Sequence, residues 1–273
     1  MSQINASIVL YHNNRAQLQK VIDSFLSTNL DAKLYLIDNS LTDALKDIAD
    51  SDSRLVYLFN NANIGYGAGH NIAIRKSIES GILYHIVLNP DLYFEGSVID
   101  NIYDYMNNHP DVGNLMPKIL YPNGDNQYLA KLLPTPLDWI LRRFLPARFT
   151  QGITEKFELR YTNYTDVMNV PFLSGCFMFL RVSALKEVGL FDESIFMYME
   201  DVDINRRIHA KYKTLYYPDV SVYHEYERGS HKNWKLLRIS IESSIKYFNK
   251  WGWIFDKERK LMNDTLLKET NYV

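Results

Sequence analysis

Apolar residues come in short, dense runs separated by polar loops. Residues 6–11 (ASIVLY) form a β-branched run suited to a buried strand. Residues 15–26 then place Leu18, Val21, Ile22 and Phe25 at three- and four-residue steps, the period of an amphipathic helix. Residues 33–37 (KLYLI) predict a second strand ending at Asp38, and residues 55–59 a third that leads into the polar, glycine-rich stretch 60–71. A helix is expected over 72–80, with Gly81 as its C-terminal cap, and a fourth strand over 83–88, closed by Asn89-Pro90-Asp91. Strands alternating with helices at this rhythm predict an α/β layer with a largely parallel sheet.

Past residue 114 the pattern loosens, with five prolines between Pro117 and Pro146. Residues 172–181 and 216–224 again read as strands and 200–210 as a helix. From Trp234 onward the pattern is helical, with Tyr247, Phe248, Trp251, Trp253 and Phe255 interleaved with lysines. The expected organisation is a catalytic body over 1–230 and a basic-aromatic helical segment over 231–273. In sheets of this kind, ligands bind beyond the carboxyl ends of the strands. The polar clusters at 11–14, 38–40, 60–71 and 89–91 stand at those ends, so four loops are expected to converge on one crevice.

Composition narrows the class. The chain has 273 residues, 47% hydrophobic, with 30 lysines and arginines against 32 acids, a balance that argues against a dedicated nucleic-acid binder. The balance is uneven: residues 205–273 hold 14 basic and 8 acidic residues, net +6, which leaves residues 1–204 at net −8. A single cysteine, Cys176, excludes an intrachain disulfide and suits a reducing compartment. The first residues carry no basic, apolar leader pattern, and no run reaches the roughly 18–20 apolar residues that span a bilayer. A protein soluble in a reducing compartment, or a peripheral membrane one, is expected.

Candidate chemistry is concentrated in a few segments. Asn63-Ile64-Gly65-Tyr66-Gly67-Ala68-Gly69-His70-Asn71 sits between a strand and a helix, where backbone N–H groups can approach an anion. It is not the dinucleotide fingerprint, because His70 stands where a third glycine is required. Asn89-Pro90-Asp91 places a carboxylate just past a buried strand, where it could hold a hard divalent cation or simply make a turn. Glu200, Asp201 and Asp203 form the densest acidic cluster, preceded by Phe196-Met197-Tyr198-Met199. Carboxylates pressed beside apolar side chains have raised pKa values, which suits a general base; a charged first helical turn is the plainer alternative. Helical geometry puts Glu200 and Asp203 on one face and turns Asp201 elsewhere. The histidines show no zinc spacing, and Cys176 lies in an apolar run that suits packing better than nucleophilic attack.

Taken in order, Tyr11, Asp38-Asn39-Ser40, Asn63-Ile64-Gly65 through Asn71, Asn89-Pro90-Asp91, Ser174-Gly175, Gly189–Glu193, the 196–203 segment and His224 resemble family 2 glycosyltransferases. The likeness runs from about residue 6 to 224 and is closest to the rhamnosyltransferase-like branch that builds bacterial surface polysaccharides. It implies a GT-A fold, a Rossmann-like, mostly parallel central sheet flanked by helices with a C-terminal helical appendage. It also implies a nucleotide-diphosphate sugar donor, a divalent metal (Mn²⁺ or Mg²⁺) and inversion at the anomeric carbon. By position, Tyr11, Asp38 and Asn39 would line the nucleoside pocket, with Asp38 accepting a hydrogen bond from the base. Asn63, Gly65, Asn71, Asn89 and Asp91 would line the nucleotide and diphosphate side. Asp91 and His224 would hold the metal, and Asp201 would be the general base. Ser174, Gly175, Glu200 and Asp203 would lie near the transferred sugar and acceptor. One departure is that Asn89 replaces the first acid of the family's D-x-D motif, which gives the cation one negative charge fewer.

The resemblance points to dTDP-rhamnose as donor, with UDP-linked sugars including galactofuranose or a hexose as the alternative. The acceptor it implies is a growing glycan on a polyprenyl diphosphate. Residues 131–149 (four basic, one acidic, Trp139) and 234–260 mix charge with aromatic surface, which suits an anionic membrane, here the inner face of the cell membrane, or else packing on the domain or a homodimer contact. Two other classes fit the α/β rhythm, a non-catalytic nucleotide-sugar binding protein and a nucleotidyltransferase or NAD-linked enzyme. The acidic site argues against the first, and the missing GxGxxG against the second.

Overall fold

A computed structural model describes residues 3–225 and 234–272. The expected strand–helix alternation is present. Strands β1 (Ile4–Leu10), β2 (Ala32–Asp38), β3 (Leu55–Phe59) and β4 (Tyr84–Leu88) lie parallel in the order β3-β2-β1-β4. Every residue of β4 is buried, as an interior strand covered on both faces requires. Helix α1 (Arg15–Leu26) starts at Asn14, whose side chain accepts from the N–H groups of Ala16 and Gln17. Its Leu18, Val21, Ile22 and Phe25 are wholly buried, each contributing about 1.5–3 kcal/mol by leaving water. Helix α2 (Tyr66–Glu79) covers the other face of the sheet.

The sheet continues through segments that the residue pattern left irregular. The short β5 (Leu92–Tyr93) precedes helix α3 (Val98–Asn108), and β6 (Val112–Leu120) follows it. The full order is β3-β2-β1-β4-β10-β6-β11-β5, where β10 is Phe177–Arg181 and β11 is Lys213–His224. β10 runs antiparallel between β4 and β6, and β11 runs parallel to β6. Pro117 lies inside β6 opposite Tyr217, and the pairing shifts register just beyond, between Tyr217 and Ser221. A bulge of this kind tolerates a residue with no N–H to give. The run expected as one strand over 172–181 is two: β9 (Phe172–Leu173) and β10, parted by Ser174-Gly175-Cys176. β9 pairs with β7 (Ala130–Lys131), and β8 (Met168–Asn169) pairs with β11.

Helices α4 (Pro136–Phe144) and α5 (Ala147–Phe157) fill the proline-rich region; Thr135 caps α4 and Pro136 occupies its first turn. Helix α6 (Val182–Val188) leads to α7 (Glu200–His209), and α8 (Trp234–Trp251) and α9 (Lys257–Glu269) follow. Tyr247 and Phe248 of α8 are buried with Ile195, Met199 and Val202, so much of the aromatic tail packs inward. Trp234 and Phe255 remain exposed. Arg206 of α7, 2% exposed, donates to both carboxylate oxygens of Asp256 at 2.6 and 2.7 Å, and its guanidinium stacks on Trp251. The expected boundary at 230/231 lies outside the described residues.

One buried polar chain lies between the sheet and α2. The Ser7 hydroxyl bridges His70 Nδ1 (2.7 Å) and His85 Nε2 (2.8 Å), and His85 Nδ1 meets the Ser77 hydroxyl at 2.8 Å. Burial holds both imidazoles neutral, pushing His85 down to about 3 and His70 well below its ordinary value.

Candidate active site

A cleft of about 1540 Å³ opens at the carboxyl ends of β1, β2 and β4. Loops after all three strands reach it, as the positions of the polar clusters imply. Tyr11, half exposed, Asn39, Asn63 and Gly65 line one end. Asn39 is fixed from two sides: its amide donates to Gly65 O at 3.1 Å and its oxygen accepts from Asn60 at 2.7 Å. Gly65 has φ +94°, and a Cβ there would stand 2.5 Å from Phe196 O, so only glycine fits. This backbone contact ties the glycine-rich loop to the segment just ahead of the acidic cluster.

Two expected donor-side residues point away from the cleft. Asp38 is 1% exposed, turned toward β3, where it accepts from the Tyr57 hydroxyl at 2.6 Å and from Ser40 N at 2.8 Å. It shapes the loop that carries Asn39 and presents no surface to a nucleobase. Asn71 is wholly buried, bonded to the backbone of Phe191 and to Glu193. It latches the 191–193 turn onto α2.

Asp91 and His224 meet in the cleft, Oδ1 to Nε2 at 3.2 Å. The Gln127 side-chain oxygen, an acceptor only, lies 2.9 Å from His224 Nδ1, so Nδ1 donates to it and Nε2 is the ring atom that faces Asp91. Asp91 Oδ1 is buried without a hydrogen-bond partner among the described residues. A carboxylate oxygen and a ring nitrogen at this spacing fit neighbouring ligands of one hard cation, and the Gln127 contact is the kind of support that ligating histidines receive. No group of three or more His, Cys, Asp or Glu able to hold a metal occurs among the described residues, so other positions on a cation would fall to substrate and water. Asn89 completes this corner, its amide nitrogen 3.5 Å from His224 Nε2 and its oxygen accepting from the Tyr66 hydroxyl at 3.0 Å.

Glu200 and Asp201 also line the cleft. They open α7 directly after Tyr198 and Met199, two consecutive residues with φ +68°, a strained turn that aims the first helical side chains into the crevice. Asp201 Oδ2 accepts from Gly175 N at 2.9 Å and Oδ1 from Val202 N at 2.9 Å. Burial raises the Asp201 carboxyl above the ordinary aspartate range, and these backbone donors and Lys131 pull it partly back. Glu200 rises further, through burial and then the neighbouring Asp201 charge, and its Oε2 has no hydrogen-bond partner among the described residues. Burial thus raises both carboxyls, Glu200 the further of the two.

The helical geometry expected for the cluster is reversed. Asp203 is fully buried and leaves the cleft to Glu200 and Asp201. It is held by Arg207 at 2.8 Å, Lys250 at 2.8 Å and the Trp251 indole N–H at 2.8 Å, anchoring α7 to α8. At the first turn the side chains fan outward from the strained entry, so the rule for a helix interior does not apply.

Ser174 and Gly175 lie at the cleft wall beside Asp201, where a Cβ on Gly175 would come within 3.1 Å of the Asp201 Cβ. Cys176 is buried, its thiol pushed up to about 12 by burial, so it is a packing residue. Tyr66, Gln127 and Lys131 are among the cleft residues that had no assigned role in the sequence. Tyr66 donates to Gly175 O at 2.7 Å and could be suspected from its place between two glycines. Gln127 and Lys131 fall in the irregular 114–170 region and are identified only by three-dimensional contact.

The glycosyl transferase family 2 model matches residues 7–189. An N-acetylglucosaminyl-diphospho-decaprenol L-rhamnosyltransferase of Mycobacterium tuberculosis (strain H37Rv) is 30% identical over 241 residues, 82% of this chain and 76% of that protein. The rhamnosyltransferase WbbL of Escherichia coli (strain K12) is 24% identical over 254 residues, 88% of this chain and 90% of that one. Among solved structures, GalNAc-T7 with UDP, GalNAc and Mn²⁺ superposes at TM-score 0.68 and 16% identity, over 95% of this chain and 50% of that chain. S. aureus TarS 1–349 with UDP gives 0.58 at 13% identity, over 97% of this chain and 70% of that one. The sheet order, the cleft at its carboxyl edge and the family match agree: the chain belongs to glycosyl transferase family 2.

Proposed function

We propose that the chain is an inverting, metal-assisted rhamnosyltransferase that moves L-rhamnose from dTDP-rhamnose to a hydroxyl of a sugar carried on polyprenyl diphosphate. The observation that carries this is the Asp201 carboxylate, which accepts from two backbone N–H groups and faces the same cleft as Asp91 and His224. The two named rhamnosyltransferase relatives support the sugar, and the Mycobacterium tuberculosis protein's name supports the acceptor class.

Asp201 takes the proton of the acceptor hydroxyl as that oxygen attacks the anomeric carbon, and the bond from that carbon to the diphosphate oxygen breaks on the opposite face. The nucleoside diphosphate departs and the new glycosidic bond has inverted configuration. A divalent cation on Asp91 and His224 would neutralise the charge gathering on the diphosphate. Glu200, whose carboxyl burial raises well above the ordinary glutamate range, would donate a hydrogen bond to a sugar oxygen in the cleft whenever it carries its proton. Tyr66 holds Gly175 and Asn89 in register, so the base and the metal corner keep a fixed separation.

A UDP-sugar donor is the second reading, favoured by the UDP bound in both structural neighbours. A peripheral position at an anionic membrane would follow from the lipid-linked acceptor; exposed Leu137, Ile140, Leu145 and Phe149 around Arg143 and Arg148 support it. No described helix is long and apolar enough to cross a membrane. The test is a donor screen scored by nucleoside diphosphate release, with and without EDTA. Release from dTDP-rhamnose, lost with EDTA, is expected; release from UDP-sugars alone would transfer the assignment to the second reading.

A further inference from the structure

Ligand sites usually enclose about 300–1,000 Å³, so the 1540 Å³ cleft has room for more than one nucleotide-sugar. The lysines and arginines of its wall are Lys131, Arg160 and Lys235, none of them on the loops that carry Tyr11, Asn39, Asn63, Asn89 and Asp91; its acids besides the site carboxylates are Asp125 and Glu158. A chain of contacts links the two groups of residues through Asp201. Tyr66 joins Asn89 to Gly175, Gly175 N–H binds Asp201, and Ser174 N–H binds Leu129 O, two residues before Lys131.

Lys131 stands on β7 opposite Phe172, with its ammonium 5.7 Å from that ring and no ion pair among the described residues. Arg160 lies above the Tyr128 ring at 4.8 Å and pairs with Glu158 at 2.6 Å. Glu158 also receives Arg142 at 3.2 Å, so this trio keeps one positive charge in excess. The buried Tyr164 hydroxyl sits 2.5 Å from Ala130 O and 2.7 Å from Glu158 O. It pins the strand carrying Lys131 to the segment carrying Arg160, so the two cations are positioned before any ligand arrives. Leu236, Ile239 and Phe172 supply apolar wall to the same cleft.

We propose that Lys131 and Arg160 bind the diphosphate of the lipid-linked acceptor, with its first sugar lying between that diphosphate and Asp201 and its first isoprene units against Leu236 and Ile239. This rests on the acceptor class given under Proposed function. Two net positive charges match the two negative charges of a sugar-diphospho-lipid, and charge-assisted contacts of this kind are the strong ones. Burial lowers the Lys131 pKa, the neighbouring Glu158 and Asp201 charges work against that, and a bound diphosphate would do the same.

The test measures calorimetric binding of farnesyl diphosphate, farnesol and dTDP or UDP to the full chain and to its Lys131→Gln and Arg160→Gln variants, with melting curves to verify folding. Farnesyl diphosphate is expected to bind the unmodified chain, at least tenfold more tightly than farnesol, and to weaken at least tenfold in each variant. Nucleoside diphosphate affinity is expected to stay within twofold. Equal farnesyl diphosphate binding by all forms, no binding by the unmodified chain, or farnesol binding as well would overturn the proposal. So would variants that lose the nucleoside diphosphate instead, since the cations would then serve the donor. If no form binds a nucleoside diphosphate, the donor reading fails separately, and the farnesyl diphosphate comparison still decides the acceptor site. Arg160, part-exposed, gives the arm that survives if Lys131→Gln fails to fold.

Discussion

Replacing Asp201 by asparagine changes one charge and almost no volume. A positioned general base contributes roughly 10²–10⁴ in rate, which at about 1.36 kcal/mol per decade is about 3–5 kcal/mol of barrier. The amide cannot satisfy both Gly175 N–H and Val202 N–H, because its nitrogen is itself a donor; one backbone N–H loses its acceptor, at about 1–3 kcal/mol. Against that loss stands relief from holding a charge in a buried position, so the melting temperature should move little. The expected result is a kcat at least 100-fold lower with nucleoside diphosphate affinity unchanged, measured by product release and by calorimetry. The pH profile gives the second arm. The raised Asp201 pKa places the acid limb of kcat/KM above the ordinary aspartate range, with activity rising as pH climbs through it and the carboxylate forms. As the pair is coupled, the limb reports the pair's apparent value. Turnover of Asp201→Asn within threefold of the unmodified chain would refute the assignment. So would a 100-fold loss in Glu200→Gln alone, which would transfer the role of base to Glu200.

Further outcomes can be checked independently. Gln127→Ala should weaken Mn²⁺ or Mg²⁺ binding about 10–100-fold by freeing the His224 ring, read by metal titration of activity and by calorimetry. Gly65→Ala should cost at least ~1–2 kcal/mol from its positive φ alone, more with the Phe196 clash, and lower the melting temperature. Asp256→Ala leaves Arg206 with its exposed partner Glu258 only, and stranding a buried charge costs about 3–5 kcal/mol, visible as an early thermal transition. His70 and His85 are held neutral by the fold, so below pH ~6.5 the unfolded chain takes up protons that the folded one refuses. Stability should fall at up to about 1.4 kcal/mol per histidine per pH unit as pH drops from there toward about 3, where His85 titrates. A melting temperature flat between pH 6.5 and 4.5 would contradict this.

The first half of the chain was legible because its elements are local: each strand is a continuous apolar run, and each helix keeps its period. β6 was not, because Pro117 reads as a breaker until the bulge opposite it is known. Asp91, His224, Asp201 and Gly175 were found by their order along the chain and share the cleft. Asp38, Asn71 and Asp203 were found in the same way but turn inward. Residue order locates a backbone position without fixing which way the side chain goes, and Tyr57, Phe191 and Arg207 decided that. Lys131 and Arg160 were illegible because their neighbours come from strands and loops distant in sequence, brought together through Tyr164. The uneven charge noted in the sequence is partly internal wiring, since Lys250 from the basic last quarter pairs with Asp192 and with Asp203 on α7.

The rivets between α7 and the last two helices have a consequence for synthesis. A ribosome releases Asp91, the glycine loop, Glu200 and Asp201 before it reaches Lys250 and Asp256. Until those emerge, Asp203 lacks one of its cations and Arg206 lacks its buried counter-charge, so the helix that aims Glu200 and Asp201 is unbraced. The final set of the two cleft carboxylates thus waits on residues made well after them.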